Sequence, residues 1–538
     1  MRKRLILSML ILFILIPAIF LQGCEMTSDP EVTQTETEET PDPGDETQPP
    51  APTAPQPVPG RFTLRYDPKS TLNPITALNR DNILISALLY ESLFVLDGNL
   101  NVEPLLCESW ETEDNVSFTF NIKPGIAMSD GSRLTADDVV YTLRQASLKG
   151  RFINRFGSVT GVSSDGELAV TVTLQSPNSR FIYLLDVPVI KSGSIDNRLP
   201  PGTGPYTFTD PDVMRLDRFT GYRDFRSLPL TTVYLLECGD DELTQLFDDG
   251  ELSLLWDDPS DAFDIRLNRL DEKRYYNTTT IQFIGFNARE GVMRNPDVRR
   301  AVGCSIDRNY IVNEIMSGQA IPAPLPLPAT FRHYDPKWEH RDLDPLTEMS
   351  LLLDRARMED FDNDSYLEIA DGLGGYADFS VDFIVNSENM HRARAANAIA
   401  DNLRQFGFRI SVRELPWESF INALQLGDFD MYYGEITLGA DFDLSPLVLP
   451  GNLNFGGTAS TTNKPFIDDF LASETDEEVQ DAVSRLLDEI QRNAPFVPVL
   501  YKKYVIHTSM GAISGAEPGQ SNVFRNFTDW KINLSMLS

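Results

Sequence analysis

Apolar and polar positions alternate most regularly between residues 381 and 436, where three short apolar segments are separated by two amphipathic ones. The apolar segments VDFIVN, FRISVREL and DMYYGEI have the length and the β-branched or aromatic content of strands. The amphipathic segments repeat apolar residues at helical spacing and end at Gly407 and Gly427, where a helix terminus favours positive φ. The order β-α-β-α-β predicts parallel strands joined by right-handed crossovers.

The loop after the third of these strands, TLGADFDLSP, is the first candidate for a binding site. In open parallel sheets, ligands bind beyond the carboxyl ends of the strands. Strand alternation places Tyr433 and Glu435 on one face of the last strand and Tyr432 on the other.

Shorter patterns predict other parts of the chain. Residues 110–174 contain two predicted hairpins on either side of a helix capped by Thr135. Residues 234–256 have the pattern of another β-α-β unit. A further helix is capped by Asn295, and its apolar face runs through Val302, Ile306 and Ile311 to Gly318.

Length and charge limit the kind of protein. The 538 residues exceed what one hydrophobic core organises, which predicts two or three lobes. The net charge of −34 argues against a nucleic-acid partner, because phosphate binding needs basic surfaces.

The N-terminus has the pattern of a secretory signal. A basic start, RKR, precedes an apolar run that ends in LQGC, and this tetrapeptide resembles a bacterial lipobox. The resemblance implies removal of residues 1–23 and lipidation of Cys24. A membrane-spanning helix is the alternative, but the run is short and contains Pro17. Residues 24–60 are acidic and proline-rich, which predicts a disordered tether.

The remaining cysteines, Cys107, Cys238 and Cys304, are scattered and form no CxxC motif. We expect buried thiols rather than a disulfide framework.

Eight motifs follow one another between Phe62 and Tyr501: LNP, LYESLF, LLCESWETED, FTFNIKPGIAMSDGSRLTADDVVYTL, TGPY, FN, NPDVRRAVGCSIDRNYIV and VPVLY. This ordered set resembles family 5 extracellular solute-binding proteins, the peptide-, dipeptide- and nickel-type receptors of ABC importers. The resemblance implies an α/β, two-lobed periplasmic-binding-protein-like fold of type II, in the large cluster with an extra β-rich subdomain.

The same resemblance implies two hinge strands, near residues 277–287 and 497–501, between the lobes. The implied parts are lobe I at 61–90, 200–280 and 499–538, a β-rich insert of lobe I at 91–199, and lobe II at 281–498.

The segment GADFDLSP is similar to the family segment in which an aspartate holds the ammonium of a bound peptide. By that match, Asp441 is the expected anchor and Asp443 its neighbour. Charge-assisted bonds to an ammonium are strong, and two neighbouring acids favour a cation. The Trp that family peptide receptors often carry shortly before is replaced by Thr437-Leu438. Solvation of the loop, or capping of the next turn, is the alternative role.

Five further residues complete the predicted ligand site. Aromatic side chains in binding clefts stack on ligands and exclude water, although ordinary core packing is the alternative for each of them. They are Trp417, Tyr433 and Glu435 near the same sheet edge, Tyr90 in the LYE motif, and Tyr501 at the implied hinge.

An acidic turn has the first spacings of a calcium loop, at Asp360, Asp362 and Asp364. Ser365 replaces the glycine of position six and Asp371 the glutamate of position twelve, so we expect no metal site. We also expect no cofactor and no catalytic residues, since the sequence has no HExxH, GxSxG, P-loop or CxxC motif.

The expected function is that of a lipid-anchored, extracytoplasmic binding component of an ABC transporter. As a monomer, it would capture a peptide-like solute by lobe closure and deliver it to a membrane permease, without catalysis. One alternative is a surface-anchored hydrolase of peptides or glycans that uses a carboxylate pair. Another is a sensor that presents its ligand to a signalling partner.

Overall fold

The computed structural model describes residues 60–210, 213–260, 265–340, 343–370, 373–451 and 453–537. The predicted signal peptide at 1–23, Cys24 and the predicted tether up to residue 59 lie outside the described residues. Among the described residues, no helix has the length and the apolar content needed to cross a membrane.

The first half of the described chain is rich in short strands. Its elements are β1 (Thr63–Arg65), α1 (Arg80–Leu89), β2 (Phe94–Leu96), β3 (Val102–Pro104), β4 (Cys107–Thr112), β5 (Ser117–Ile122), α2 (Ala136–Ala146), β6 (Val159–Asp165), β7 (Ala169–Leu174), β8 (Tyr206–Thr207), β9 (Arg215–Arg218), β10 (Thr232–Leu236), α3 (Leu243–Asp248) and β11 (Leu254–Asp257).

Two four-stranded sheets organise this half, one in the order β1-β10-β9-β8 and one in the order β4-β5-β7-β6. The second sheet is antiparallel and contains both predicted hairpins. The predicted cap at Thr135 is confirmed, because its hydroxyl and the Asp138 carboxylate form a capping box at the start of α2.

The second half alternates helices with longer strands. Its elements are β12 (Asp271–Phe286), α4 (Pro296–Ser305), α5 (Arg308–Tyr310), β13 (Ala320–Pro322), α6 (Pro345–Ala356), β14 (Met358–Glu359), β15 (Glu368–Ala370), β16 (Tyr376–Asp378), β17 (Val381–Asn386), α7 (Met390–Gln405), β18 (Ile410–Leu415), α8 (Trp417–Leu426), β19 (Met431–Thr437), α9 (Ser445–Val448), α10 (Lys464–Ala472), α11 (Asp476–Asn493), β20 (Phe496–Ser509), β21 (Ile513–Ser514) and β22 (Lys531–Ile532).

The predicted β-α-β-α-β unit is confirmed as β17-α7-β18-α8-β19. Strand β17 pairs with β18 and with β19, and both pairs are parallel. Gly427 ends α8 with φ 73°, in the left-handed region that its position requires. The unit belongs to a seven-stranded sheet with the order β11-β20-β12-β19-β17-β18 and with β13 beside β20.

Two long strands, β12 and β20, run antiparallel through the centre of that sheet. Their regular pairing is interrupted between Asn277 and Ile281. Before the interruption, β20 also pairs with β11, and after it β12 also pairs with β19. The residues implied as hinge strands therefore lie in the two strands that link the first half of the fold to the second.

The buried apolar residues form separate clusters. The first cluster draws mainly on residues 62–254 and 506–537. The second and third lie on opposite faces of the seven-stranded sheet, since Tyr433 belongs to one and Tyr432 to the other. This confirms the predicted alternation along β19. The molecule is a mixed α/β protein with the two-lobed type II fold, whereas the exact lobe boundaries stay a prediction.

Two expectations about elements were wrong. The helix that begins at Asn295 ends at Ser305, and a short α5 and one π-helical turn over Ile311–Ile315 follow it. Ile306 has an extended backbone with ψ 110°, which breaks the helix despite the continuing apolar spacing. Strands β10 and β11 flank a helix as expected but belong to different sheets.

The three described cysteines form no disulfide with one another, as expected from their scatter. Cys107 is buried, and burial raises its pKa to about 12. Cys238 and Cys304 are half-buried, so the expectation of full burial holds for Cys107 only.

Candidate functional site

The loop after β19 begins beside the interruption in the β12–β20 pairing. Leu438 N–H donates to Thr279 O at 3.1 Å, and the Thr279 hydroxyl donates to Leu438 O at 2.7 Å. The carboxyl end of β19 is thereby fixed to the middle of β12. The loop that carries Asp441 therefore starts where the two halves of the fold join.

The backbone of this loop is held in a tight turn. A Cβ atom on Gly439 would lie 2.4 Å from Asp441 Oδ1, so any larger residue there would displace that carboxylate. Phe442 has φ 57°, a strained value for a large side chain, and its ring packs 5.5 Å from that of Phe331. The buried Phe442 ring fixes the orientation of the acids on either side of it.

Asp441 is buried, with 4% of its surface exposed, and it has few hydrogen bonds. Asn178 Nδ2 donates to Oδ2 at 3.4 Å, and Asp443 N–H donates to Oδ1 at 3.4 Å, both at the weak end of the range. Burial, and then the charge of Asp443, raise the pKa of Asp441 to about 7. Burial also raises the pKa of Asp443, whose carboxylate accepts the N–H of Ser445 at 2.8 Å.

Arg180 reaches into the same region from the first half of the fold. Its guanidinium lies 4.8 Å from the ring centroid of Phe470 and 5.4 Å from that of Phe331. Nε and Nη2 of Arg180 are buried and donate to no acceptor among the described residues. Burial lowers the pKa of Arg180, while Tyr183 and Asp441 partly offset this effect. The weakly bonded carboxylate of Asp441 thus lies close enough to the unbonded N–H groups of Arg180 for its charge to affect their pKa.

Glu435 is held by two cations on the opposite side of β19 from Tyr432. Arg392 Nη2 donates to it at 2.9 Å, and Lys502 Nζ lies 3.4 Å away. Burial alone would raise the pKa of Glu435, but Lys502 and Arg392 outweigh it and keep the pKa below its ordinary value. Tyr433, predicted on the same strand face as Glu435, is linked to it through Gln282. The Tyr433 hydroxyl donates to Gln282 Oε1, and Gln282 Nε2 donates to Glu435, each at 2.8 Å.

Lys502 forms a second buried ion pair, with Asp258 at 2.5 Å. Burial would lower the pKa of Lys502, but Glu435 and Asp258 together raise it. Asp258 follows β11, and its neighbour Ser260 accepts Asn389 Nδ2 at 2.8 Å through its backbone oxygen. We call Asp258, Lys502, Glu435 and Arg392 the hinge charge cluster. Its two acids and two bases come from α7, β19, β20 and the segment after β11.

Sequence reasoning named Glu435 but missed the other three members of this cluster. The available signal was the pair Lys502-Lys503 within the mostly apolar strand sequence FVPVLYKKYVIH, where strand alternation turns one of the two lysines inward. A lysine that is 3% exposed needs a buried acid as its partner, and only tertiary structure identifies that acid.

The other predicted ligand residues lie elsewhere in the core. Tyr90 donates its hydroxyl to Pro200 O at 2.9 Å, and Tyr501 donates to Pro326 O at 2.7 Å. They belong to different apolar clusters. Trp417 begins α8, is half-buried, and packs 6.1 Å from Phe420. The structure therefore brings Asp441 near Asp443 and links Tyr433 to Glu435 through Gln282.

Comparison with known proteins gives the context of this geometry. The family model "Bacterial extracellular solute-binding proteins, family 5 Middle" matches residues 101–453. The glutathione-binding protein GsiB of Pectobacterium atrosepticum is 25% identical over 302 residues, which cover 53% of this chain and 58% of that protein. GsiB of Escherichia coli K12 is 23% identical over 474 residues, covering 81% and 88%. Heme-binding protein A of Haemophilus influenzae is 23% identical over 465 residues, covering 75% and 80%.

Solved structures show the same fold. The oligopeptide-binding protein AppA of Bacillus subtilis, in complex with a nonapeptide, superposes with a TM-score of 0.64 at 19% identity, covering 89% of this chain and all of that one. The family model spans well over half of the 538 residues. The chain belongs to the bacterial extracellular solute-binding proteins of family 5.

Proposed function

We propose that this chain is the lipid-anchored binding component of an ABC importer and that it captures a peptide-like solute. Family 5 proteins are extracytoplasmic solute-binding proteins that work with ABC permeases, and the relatives are not enzymes. The comparisons give no support to the hydrolase alternative. The lipid anchor on Cys24, the monomeric state and the absence of catalysis are parts of the proposal.

The observation that carries the proposal is the under-bonded carboxylate of Asp441. A buried carboxylate normally accepts several short hydrogen bonds, but this one accepts two at 3.4 Å. A ligand ammonium would supply short, charge-assisted bonds and would neutralise the adjacent acid pair. We therefore assign Asp441 as the anchor for a ligand amino group and Asp443 as its electrostatic support.

Arg180 favours a ligand that carries an acid as well. Its two buried N–H groups without acceptors match a carboxylate, which would remove the cost of their burial. An ammonium at Asp441 and a carboxylate at Arg180 together describe a zwitterion such as a short peptide. Trp417 is the aromatic residue we propose for contact with a ligand side chain, because it is half-buried and follows the carboxyl end of β18, a strand of the same sheet.

The other predicted residues support the site. The hydroxyls of Tyr90 and Tyr501 already donate hydrogen bonds to backbone oxygens. Tyr433 and Glu435 bind Gln282, and Glu435 is neutralised by Arg392 and Lys502. We propose that these four side chains fix the strands next to the ligand. Contacts from both lobes would then favour the closed over the open state.

Native mass spectrometry of the purified protein, followed by denaturation, tests the proposal. We expect a co-purifying amino-containing solute that is recovered with its mass unchanged. Release of cleaved products from a panel of peptides would instead show catalysis and would overturn the pure-binding function.

Asp441→Asn provides the test of the anchor. We expect it to weaken binding of the recovered ligand by about 2 kcal/mol, since a charge-assisted bond to an ammonium is lost, as measured by isothermal titration calorimetry. Asp481→Asn, an exposed aspartate on α11, is the matched control and should bind as the unmodified protein does. Equal affinities for both variants would remove Asp441 from the site.

A further inference from the structure

The loop between β14 and β15 gathers four carboxylates. One oxygen from each of Asp360, Asp362, Asp364 and Glu368 lies within 4.8 Å of all the others. Calcium binds oxygen at 2.3–2.6 Å, so ligands on opposite sides of the ion are about 4.6–5.2 Å apart. The four oxygens are therefore close enough to share one calcium coordination sphere.

Glu368 gives an independent reason to expect a cation. It is fully buried, and while Oε2 accepts the Phe361 N–H at 2.9 Å, Oε1 accepts no hydrogen bond from any described group. The nearest cationic atom, Arg409 Nη2, is 3.9 Å away and already donates to Asp364 at 2.6 Å. A buried carboxylate oxygen without a bond is unfavourable, and this one belongs to the acidic group.

The loop backbone has positive φ angles at two residues that are not glycine. Ser365 stands where a calcium loop has glycine, yet it adopts φ 74°, and Asn363 adopts φ 64°. Asp360 accepts the N–H of Asp364 through Oδ1 and that of Ser365 through Oδ2, each at 3.0 Å. These bonds hold the backbone of Asp364 and Ser365 against the Asp360 carboxylate. The twelfth position of the loop, Asp371, lies outside the described residues.

Local charge leaves room for a divalent cation. Arg409 binds Asp364 and, at 2.9 Å, Asp378. This one guanidinium thus pairs with Asp364 and Asp378, and its Nη2 lies 3.9 Å from Glu368. The four clustered carboxylates outnumber the single cation beside them, which favours a bound divalent cation.

We propose that Asp360, Asp362, Asp364 and Glu368 bind one calcium ion. Calcium takes six to eight oxygens, so backbone oxygens or water would complete the set, whereas magnesium requires shorter bonds and stricter geometry. The ion would fix this loop against the end of α7, where Leu367 N–H donates to Gly407 O at 2.8 Å. This site is separate from the ligand anchor at Asp441 and does not depend on the proposed function.

Calorimetric titration of the full chain with calcium, after dialysis against EDTA, tests the proposal. We expect one ion per chain with a dissociation constant of about 10⁻⁵ to 10⁻³ M. Glu368→Gln and Asp362→Asn should each weaken binding at least about tenfold, while Asp481→Asn should not change it. Asp362 is exposed and accepts one hydrogen bond from the described residues, so its variant should fold even if that of Glu368 does not.

Asp441→Asn distinguishes the two acidic sites and should retain calcium affinity. Loss of binding in Asp441→Asn but not in Asp362→Asn would place the ion at the acid pair after β19 and overturn the proposal. Absence of saturable binding up to about 10 mM calcium would overturn it as well.

Discussion

At the scale of single residues, Asp441 combines burial with a shortage of donors. Burial and the Asp443 charge raise its pKa to about 7, so near neutral pH the ligand-free protein holds a proton there part of the time. A cationic ligand would favour the ionised form and displace that proton. Binding of an amine should therefore be linked to pH, whereas most surface aspartates are ionised throughout this range.

We expect Asp441 to lower the stability of the ligand-free protein as pH rises from about 4 to about 7. Its folded pKa lies above the unfolded value of 3.8, so the folded state binds the additional proton in this window and loses that advantage above it. The free energy of unfolding of Asp441→Asn, compared with that of the unmodified protein, should therefore be about 1–3 kcal/mol higher at pH 8 than at pH 5.

Urea unfolding at both pH values measures this difference. Asp481→Asn serves as the control, because an exposed carboxylate should give the same difference from the unmodified protein at pH 5 and pH 8. A pH-independent effect of Asp441→Asn would contradict the raised pKa.

At the scale of elements, strand β20 links both halves of the fold and carries a buried charge. Lys502 lies next to the interruption in the β12–β20 pairing, where Thr278 donates its hydroxyl to Lys502 O at 2.8 Å. Its ammonium binds Asp258 after β11 and lies near Glu435 on β19. The hinge charge cluster thus links strands β20 and β19, the segment after β11, and helix α7.

We expect Lys502→Met to destabilise the protein by about 3–5 kcal/mol, since Asp258 would stay buried without its cation. The adjacent Lys503 is only half-buried, so Lys503→Met is the matched control, with an expected change of about 0.5 kcal/mol or less. Chemical unfolding of both variants measures the effect. A loss of stability for Lys502→Met as small as that for Lys503→Met would show that the hinge charge cluster contributes little to stability.

At the scale of the whole molecule, the candidate site lies where the two halves touch. Ser179 N–H donates to Leu471 O at 2.8 Å, next to the place where Arg180 packs on Phe331 and Phe470. Asn178 reaches Asp441 from the same segment. A ligand bound there would contact both halves, which is the physical requirement for a closure that depends on the ligand.

The proposed lipid anchor on Cys24 would hold the whole molecule at the membrane. We expect Cys24→Ser in the full chain to abolish incorporation of labelled palmitate and to move the protein out of the membrane fraction, because the thiol is the expected acceptor of the lipid. Cys238→Ser is the control and should remain lipidated and membrane-bound. Unchanged labelling of Cys24→Ser would disprove the anchor.

The sequence by itself determined the local parts of this protein. Apolar spacing and terminal glycines specified the β17-α7-β18-α8-β19 unit, and Thr135 specified the start of α2, because each depends on residues close together in the chain. The ordered motifs implied the family and its fold. The loop that contains Asp441 and Asp443 was found because it follows a strand of a parallel sheet, whereas the expected role of the two acids came from the family resemblance.

Only the tertiary structure decided which distant groups meet. Apolar spacing continued past Ser305 although the helix does not, since packing overrides local preference there. Asp258, Arg392 and Lys502 are separated by more than a hundred residues, so no local pattern pairs them. The buried Glu368 oxygen and the Arg180 donors were likewise invisible in the sequence. Burial and long-range charge pairing arise only when separate segments pack together, and they decide the chemistry of this site.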